Sequence, residues 1–300
     1  MSDIFDPSCY RKKKMIRHFP VLLIFLLVFC NFSFSKDLEH SGEDTLKSNS
    51  NQPAPLDLIK YDFNRGLLDG WRLLTAPSHF SGKNWAVTGA ITGGTALSML
   101  LDKGIRKVAR SNQSNSLDDI TKAGQYYGMV IPAASLSAGL YAAGLIFNDR
   151  SVSLTGRLLA ESLLYAGTIN IILKVLFSRS RPYNNDGNTD FGNYVFDNAY
   201  YSLPSGHAIV AFTVSTVLAE RIQNIFATIG LYSLATLTAY QRIYSDNHWF
   251  SDTVLGAAIA IVISRSVVEM SQSDPYENNN PDISVYPALG GYRIGLNFSF

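Results

Sequence analysis

A chain of 300 residues with 47% hydrophobic and 16% charged residues and a formal net charge of +1 is poor in charge beside the roughly 25% of an average globular chain. That balance argues against a disordered chain and against a nucleic-acid binder, which carries a basic excess. The 22 Gly and 11 Pro recur with no period, which excludes a collagen-like or repeat array. A mean hydropathy of +0.07 leaves open a soluble helical protein with a large core and a modest membrane protein.

Arg11, Lys12, Lys13, Lys14 and Arg17 precede an uncharged run from Phe19 to Ser35, and Ser33-Phe34-Ser35 supplies small residues at the spacing of a peptidase site. This layout predicts a secretory signal peptide over residues 1–35. An uncleaved anchor is the alternative, because the run is only slightly shorter than the ~20 apolar residues that span a bilayer. Cys9 and Cys30, the chain's two cysteines, both fall here, so the mature chain is expected to hold no disulfide. Cleavage removes five basic and two acidic residues and leaves a net charge of −2. Residues 36–55 are polar and without period, and predict a flexible tether.

Residues 56–77 mix Leu, Ile, Trp and Phe with charges, as an amphipathic helix does. Six apolar segments follow, at 84–105, 127–147, 154–178, 206–222, 224–243 and 250–270, all too long for strands. They predict an all-α, six-helix bundle within a helical domain over 56–270. A loop at 183–203 separates the third segment from the fourth. In the last stretch, 271–300, Ile283, Val285 and Leu289 lead to Gly290-Gly291, after which Tyr292, Ile294, Leu296, Phe298 and Phe300 alternate with other residues. A period of two around a Gly-Gly turn predicts a short C-terminal β-hairpin packed on the bundle. Only the second segment, Tyr126 to Phe147, is uncharged for 22 residues. Glu161 in the third and Asp252 and Arg265 in the sixth leave these segments marginal as membrane spans.

Three clusters carry the chemistry. Lys174-x6-Arg181-Pro182 closes the third apolar segment. Seven residues are nearly two helical turns, so both cations can share a face, and the Arg fork matches phosphate oxygens. Taken alone, such a pair commonly just answers the helix dipole. Pro204-Ser205-Gly206-His207 opens the fourth segment. Ser205 is a natural N-cap, Gly206 lets a ligand approach the backbone, and a first-turn His beside free N–H groups can give a proton to a leaving oxygen. An ordinary capped helix start with an incidental His fits the same residues. Arg242-x5-His248-x3-Asp252 precedes and enters the sixth segment. An i, i+4 spacing places His248 and Asp252 on one helical face, where Asp252 can fix the tautomer and free the other ring nitrogen as a nucleophile. Of the five His, His18 lies in the leader, His40 in the tether and His79 in a loop. Only His207 and His248 stand in the helical core, each beside cations. Together the clusters compose a site for a tetrahedral oxyanion with a nucleophile and an acid.

Lys-x6-Arg-Pro, Pro-Ser-Gly-His and Arg-x5-His-x3-Asp, in this order and over about residues 84 to 270, resemble the three-part signature of the type 2 phosphatidic acid phosphatase and vanadium haloperoxidase superfamily. One position departs from it: Gln241 stands where the family usually has Ser before the third-motif Arg. The resemblance implies the family's helical bundle and a catalytic group of His248, His207 and Asp252. In that arrangement His248 attacks phosphorus and forms a phosphohistidine, Asp252 orients it, and His207 protonates the leaving alkoxide. Lys174, Arg181, Ser205, Gly206 and Arg242 would bind the substrate phosphate. No cofactor and no metal are implied.

The leading expectation is an exported, metal-independent phosphatase of the cell envelope that acts on lipid phosphomonoesters or pyrophosphates. A soluble periplasmic acid phosphatase acting on small phosphoesters is one alternative. A lipid phosphotransferase, a haloperoxidase and a non-enzymatic envelope protein are others. A phosphorylated substrate and a membrane are the expected partners, and no nucleic acid. Six spans after either a cleaved leader or an anchor would turn all three motifs to the cytoplasm. That favours a bundle in the periplasm or against a membrane surface, with a multipass inner-membrane protein as the alternative. The Lys/Arg-rich stretch at 103–110 speaks for a cytoplasmic side.

Overall fold

The computed structural model describes residues 54–192, 194–272 and 274–276 in full, and residues 282–288 and 291–297 as backbone. The leader expected over 1–35, both cysteines, and all but the last two residues of the tether expected over 36–55 lie outside the described residues.

Where the pattern predicts one amphipathic helix and six apolar ones, the described residues hold nine. The amphipathic segment is α1, Pro55–Thr75, with Pro55 at the position where a missing N–H costs nothing. The first apolar segment divides into α2, Gly82–Ser98, and α3, Asp102–Ser111. Asp102 is fully buried at the break, and its carboxylate accepts from the Ser251 backbone N–H and hydroxyl at 2.8 Å each. A straight helix would carry that charge through an apolar run unpaired. A further helix, α4, Asn115–Tyr127, lies in a segment too polar to show an apolar period. Its start signal is local: the Ser114 hydroxyl accepts the Leu117 N–H, and Asp118 stands in the first turn. The other five apolar segments become α5 (Val130–Phe147), α6 (Arg150–Phe177), α7 (Gly206–Ile222), α8 (Ile225–Tyr244) and α9 (Phe250–Ser271).

The core lies between α6, α7 and α9. Leu154, Leu158, Leu159 and Leu173 of α6 pack with Val210, Val214 and Val217 of α7 and with Leu255, Ile259 and Ile263 of α9 in one buried cluster. Two glycines permit the close crossings. A Cβ on Gly156 would strike the backbone of Ser137 and Tyr141 on α5, and one on Gly256 would strike the carbonyl of Ser205.

At its N-terminal end α6 is held by buried ion pairs. Arg150 reaches Asp62 of α1 at 2.7 Å and Asp274 at 2.6 Å, and Arg157 reaches Asp62 at 2.9 Å and Glu161 at 3.2 Å. The Tyr141 hydroxyl donates to Asp62 at 2.8 Å.

The outer surface is strongly apolar. Phe63, Leu67, Trp71 and Leu74 of α1 and Val130, Ile131, Ile146 and Phe147 of α5 all face outward. Helices α5, α6 and α9 are long and apolar enough to cross a membrane, by length and composition; the sequence favoured α5 alone. Such continuous apolar faces belong to a membrane-associated surface.

Two strands, β1 (Asp282–Ala288) and β2 (Gly291–Asn297), pair antiparallel from Asp282 opposite Asn297 to Ala288 opposite Gly291. Gly291, expected in the turn, opens β2. The connecting residues 289–290 and the expected packing on the bundle lie outside the described residues.

Candidate active site

Helix α6 ends at Phe177, because Ser178 adopts a left-handed backbone with φ 40°. Arg181 therefore does not share a helical face with Lys174, as the seven-residue spacing predicts. It stands in extended backbone before Pro182, the conformation that a following proline imposes. The two cations still meet at one place. Lys174 Nζ donates to the Tyr201 carbonyl at 2.5 Å, and the Arg181 guanidinium donates to Asn198 Oδ1 at 2.8 Å and to Asn247 Oδ1 at 3.4 Å.

Ser205 precedes α7 but makes no side-chain cap. Its backbone N–H donates to the Asp252 carbonyl at 3.0 Å, which draws the start of α9 against the start of α7. Its hydroxyl is fully buried and, among the described residues, has no hydrogen-bond partner. A buried hydroxyl without a partner costs free energy unless a ligand completes it. Gly206 follows, with the Asn170 amide 3.1 Å from where a Cβ would stand. His207 lies half-buried in the first turn of α7.

Arg242 lies in the last turn of α8, and its Nη1 donates to Gln241 Oε1 at 3.2 Å. The residue that departs from the family pattern thus holds the neighbouring guanidinium. His248 and Asp252 are not on one helical face. His248 lies in the tight turn after α8, where its N–H donates back to the Arg242 carbonyl at 3.1 Å. Asp252 is in the first turn of α9 and accepts the Trp249 N–H at 2.8 Å. His248 Nδ1 is 2.7 Å from the Ser202 carbonyl and 3.6 Å from Asp252 Oδ2. A carbonyl can only accept, so Nδ1 carries the proton and Nε2 keeps its lone pair.

Three residues that the motifs do not include complete this arrangement. Arg179, fully buried, donates to Asp252 Oδ1 at 2.5 Å, to Asp102 Oδ2 at 2.7 Å and to the Asn188 carbonyl. The Ser202 hydroxyl donates to Asp252 Oδ2 at 2.5 Å, while its carbonyl holds His248. Asp102 binds Arg179 from α3. Arg179 could have been noticed as a third cation between Lys174 and Arg181. Asp102, an acid in an apolar segment, signals only that it needs some partner, and Ser202 leaves no local signal, because their partners lie 77 and 50 positions away along the chain.

The charges divide unevenly. Asp102 and Asp252 are both bound by Arg179. Among the described residues, no carboxylate lies within ion-pair distance of Lys174, Arg181 or Arg242. Burial pushes the Arg181 guanidinium below its ordinary value. Burial and the charges of Arg242, Lys174 and Arg181 push His207 down to about 4. Burial, with Lys174 and Arg181 adding to it against the pull of Asp252, pushes His248 down to about 3. Both imidazoles are therefore neutral at neutral pH while the site is empty. Three cations, a free hydroxyl and a neutral imidazole with an open Nε2 suit a tetrahedral anion that a nucleophile can attack. Among the described residues no group of three His, Cys, Asp or Glu side chains could hold a metal ion.

Residues 155–274 are matched by the family model described as PAP2 superfamily. A lipid A 1-phosphatase of Porphyromonas gingivalis is 32% identical over 133 residues, 43% of this chain and 27% of that protein. A lipid A 4'-phosphatase of the same organism is 24% identical over 119 residues, 39% of this chain and 50% of that protein. The chain thus spans about a quarter and a half of the length of these curated relatives. Two crystal structures are similar in shape. LpxE of Aquifex aeolicus has 22% identity and a TM-score of 0.42 over 56% of this chain and 95% of its own. A transmembrane PAP2 type phosphatidylglycerolphosphate phosphatase of Bacillus subtilis has 18% identity and a TM-score of 0.48 over 74% and 97%.

Proposed function

From the match of residues 155–274 to the PAP2 superfamily model we propose that the chain is a membrane-associated phosphatase of that superfamily, which hydrolyses a phosphate ester of an envelope lipid by way of a phosphohistidine. The observation that carries the reading is the group of three cations that have no carboxylate partner among the described residues, together with two neutral imidazoles and a buried hydroxyl that no described residue meets.

The proposed steps draw on the groups that the site brings together. Lys174, Arg181, Arg242, the Ser205 hydroxyl and the Gly206 N–H hold the non-bridging phosphoryl oxygens and stabilise the charge that builds there. His248 Nε2 forms a bond to phosphorus as the bond to the leaving alkoxide breaks. The Ser202 carbonyl and Asp252 hold Nδ1–H and stabilise the positive ring that results. The phosphate dianion raises the pKa of His207, which gives its proton to the alkoxide. Neutral again, His207 takes a proton from water, which attacks phosphorus and releases inorganic phosphate from His248. The cations perform the charge neutralisation that a metal performs elsewhere, so this route needs none.

A lipid substrate is supported by the outward apolar faces of α1 and α5 and by three helices long and apolar enough to cross a membrane. The two lipid A phosphatases among the relatives point to the same class. Residues 1–35 serve as export leader, 36–55 as tether and 56–270 as the catalytic domain, with 271–300 as its C-terminal extension. The site then works on the envelope side of the membrane.

The test is phosphate release in EDTA from p-nitrophenyl phosphate, phosphatidic acid, an isoprenyl pyrophosphate and a lipid A phosphate, with wild type beside His248→Ala. Turnover that survives EDTA, favours a lipid and falls by at least about 10³-fold in the variant is the expected result. A preference for p-nitrophenyl phosphate would move the reading to a soluble-substrate phosphatase. No release by a folded protein would end it.

A further inference from the structure

Outside the catalytic centre, α3 presents Lys103, Arg106, Lys107 and Arg110 on one face, at the i, i+3, i+4 and i+7 positions of a helix. With Asn185 these four line a pocket of about 310 Å³. One carboxylate answers them. Asp246 takes Arg106 Nε at 2.6 Å and Arg110 Nη1 at 3.0 Å. Lys103 and Lys107 are exposed and, among the described residues, make no ion pair. Like charges one helical turn apart repel, which costs stability unless an anion lies between them.

The pocket adjoins the two loops that carry the catalytic site. Asp246 stands two positions before His248 in the same tight turn. Asn185, which accepts from Arg106 Nη2 at 2.9 Å, follows Arg181-Pro182 in the same short segment. The Arg106 guanidinium lies over the Trp249 ring at 5.4 Å, and Trp249 directly follows His248. Latching the turn requires only Arg106, Arg110 and Asp246. Two lysines without an ion pair among the described residues remain in excess of that structural need, and they line the pocket.

We infer that this pocket is a second phosphate-binding site, which holds the second phosphoryl group of a bisphosphorylated lipid while the first lies at His248. Lysine ammoniums are point charges that suit a phosphate dianion without fixing its rotation. This inference rests on the phosphatase reading of the His248 site. It adds that the substrate carries two phosphates a fixed distance apart.

The experiment compares wild type with the Lys103→Ala/Lys107→Ala double variant, in which two exposed side chains outside the core are shortened. KM is measured for a bisphosphorylated lipid and for its monophosphorylated counterpart, each in neutral detergent micelles and in vesicles rich in anionic phospholipid. The expected result is a ratio of the two KM values that shifts about five- to tenfold against the bisphosphorylated lipid in neutral micelles. The shift should shrink as salt is raised, because exposed charges are screened. An unchanged ratio overturns the inference. So does a loss that follows vesicle charge and ignores the second phosphate, which would make α3 a membrane-recruiting surface only. A binding measurement on the His248→Ala background separates the two readings. If no lipid is turned over by wild type, a preference for bisphosphorylated micelles that depends on Lys103 and Lys107 still upholds the pocket, and its absence sinks it.

Discussion

The two ends of α6 each bury charge, and they do so in opposite ways. Around its N-terminal half four guanidiniums, Arg65, Arg72, Arg150 and Arg157, meet four carboxylates, Asp62, Asp69, Glu161 and Asp274, in two groups of ion pairs at 2.6 to 3.6 Å, one around Asp69 and one around Asp62 and Asp274. Lys174, about 25 Å further along the helix axis from Arg157, belongs to a group of three cations that no described carboxylate neutralises. At this end the available carboxylates, Asp102 and Asp252, are occupied by Arg179. Buried charge by itself therefore does not mark a functional site. The matched end is a staple that joins α1 and the chain after α9 to α6. The unmatched end is incomplete without an anion.

Substitutions on the two sides should separate stability from activity. Arg150→Met leaves Asp62 and Asp274 partly uncompensated in the interior, which costs about 3–5 kcal/mol. Thermal unfolding in detergent should shift well downward, while the fraction that remains folded turns over at the wild-type kcat. If Arg150→Met were as stable as wild type, the staple reading of this end would be lost. Lys174→Met should do the reverse. It removes one of three mutually repelling cations, so stability should hold or rise. kcat/KM should fall by about 10²- to 10³-fold, the cost of one oxyanion-stabilising donor. A destabilised but active Lys174→Met would place the lysine with the staples.

An anion should stabilise only the unmatched end. Orthovanadate or phosphate at about 100 times its Kd should raise stability by about 2.7 kcal/mol through binding to the folded state alone. The gain should be largely lost in Arg242→Gln, where only the α3 pocket can still take the anion, and intact in a staple variant. Equal stabilisation of Arg242→Gln would mean that the anion binds elsewhere.

The three motifs led to the right helix ends because each pairs a cation or imidazole with a local terminator: Ser178 and Pro182 after Lys174, the start of α7 at Ser205, and the turn between Arg242 and Asp252. Local spacing misled where it assumed regular helix. Lys174 and Arg181 are separated by a helix end, and His248 sits outside α9, so neither pair owes its contact to periodicity. The remainder was illegible because it is non-local. Asp102 meets Ser251 across 149 positions, and Asp62 meets Arg150 across 88. An acidic residue inside an apolar segment announces that it needs a partner but not which one. The division of the first apolar segment at 99–101 follows from that unseen partner, and α4 was hidden by its polarity.

The smallest expected effect tests the electrostatics of the unmatched end through a single proton. His248 is held down to about 3 in the folded, empty site, against about 6.5 in an unfolded chain. Between those values the unfolded state binds a proton that the folded state refuses. The contribution to stability is therefore complete above about pH 6.5 and is lost as pH falls toward 3. From pH 6.5 to 5.5 the loss should approach 1.4 kcal/mol at most, roughly one proton's worth. His248→Ala removes this proton and leaves His207 in place, so the difference between wild type and variant isolates it. Wild type should lose stability more steeply than the variant as pH falls through this window. A saturating phosphate analogue should flatten the difference, because an anion at the site favours a charged ring. Parallel curves without anion would mean that His248 titrates at its ordinary value in the empty site, and that neither burial nor the neighbouring cations hold its ring neutral.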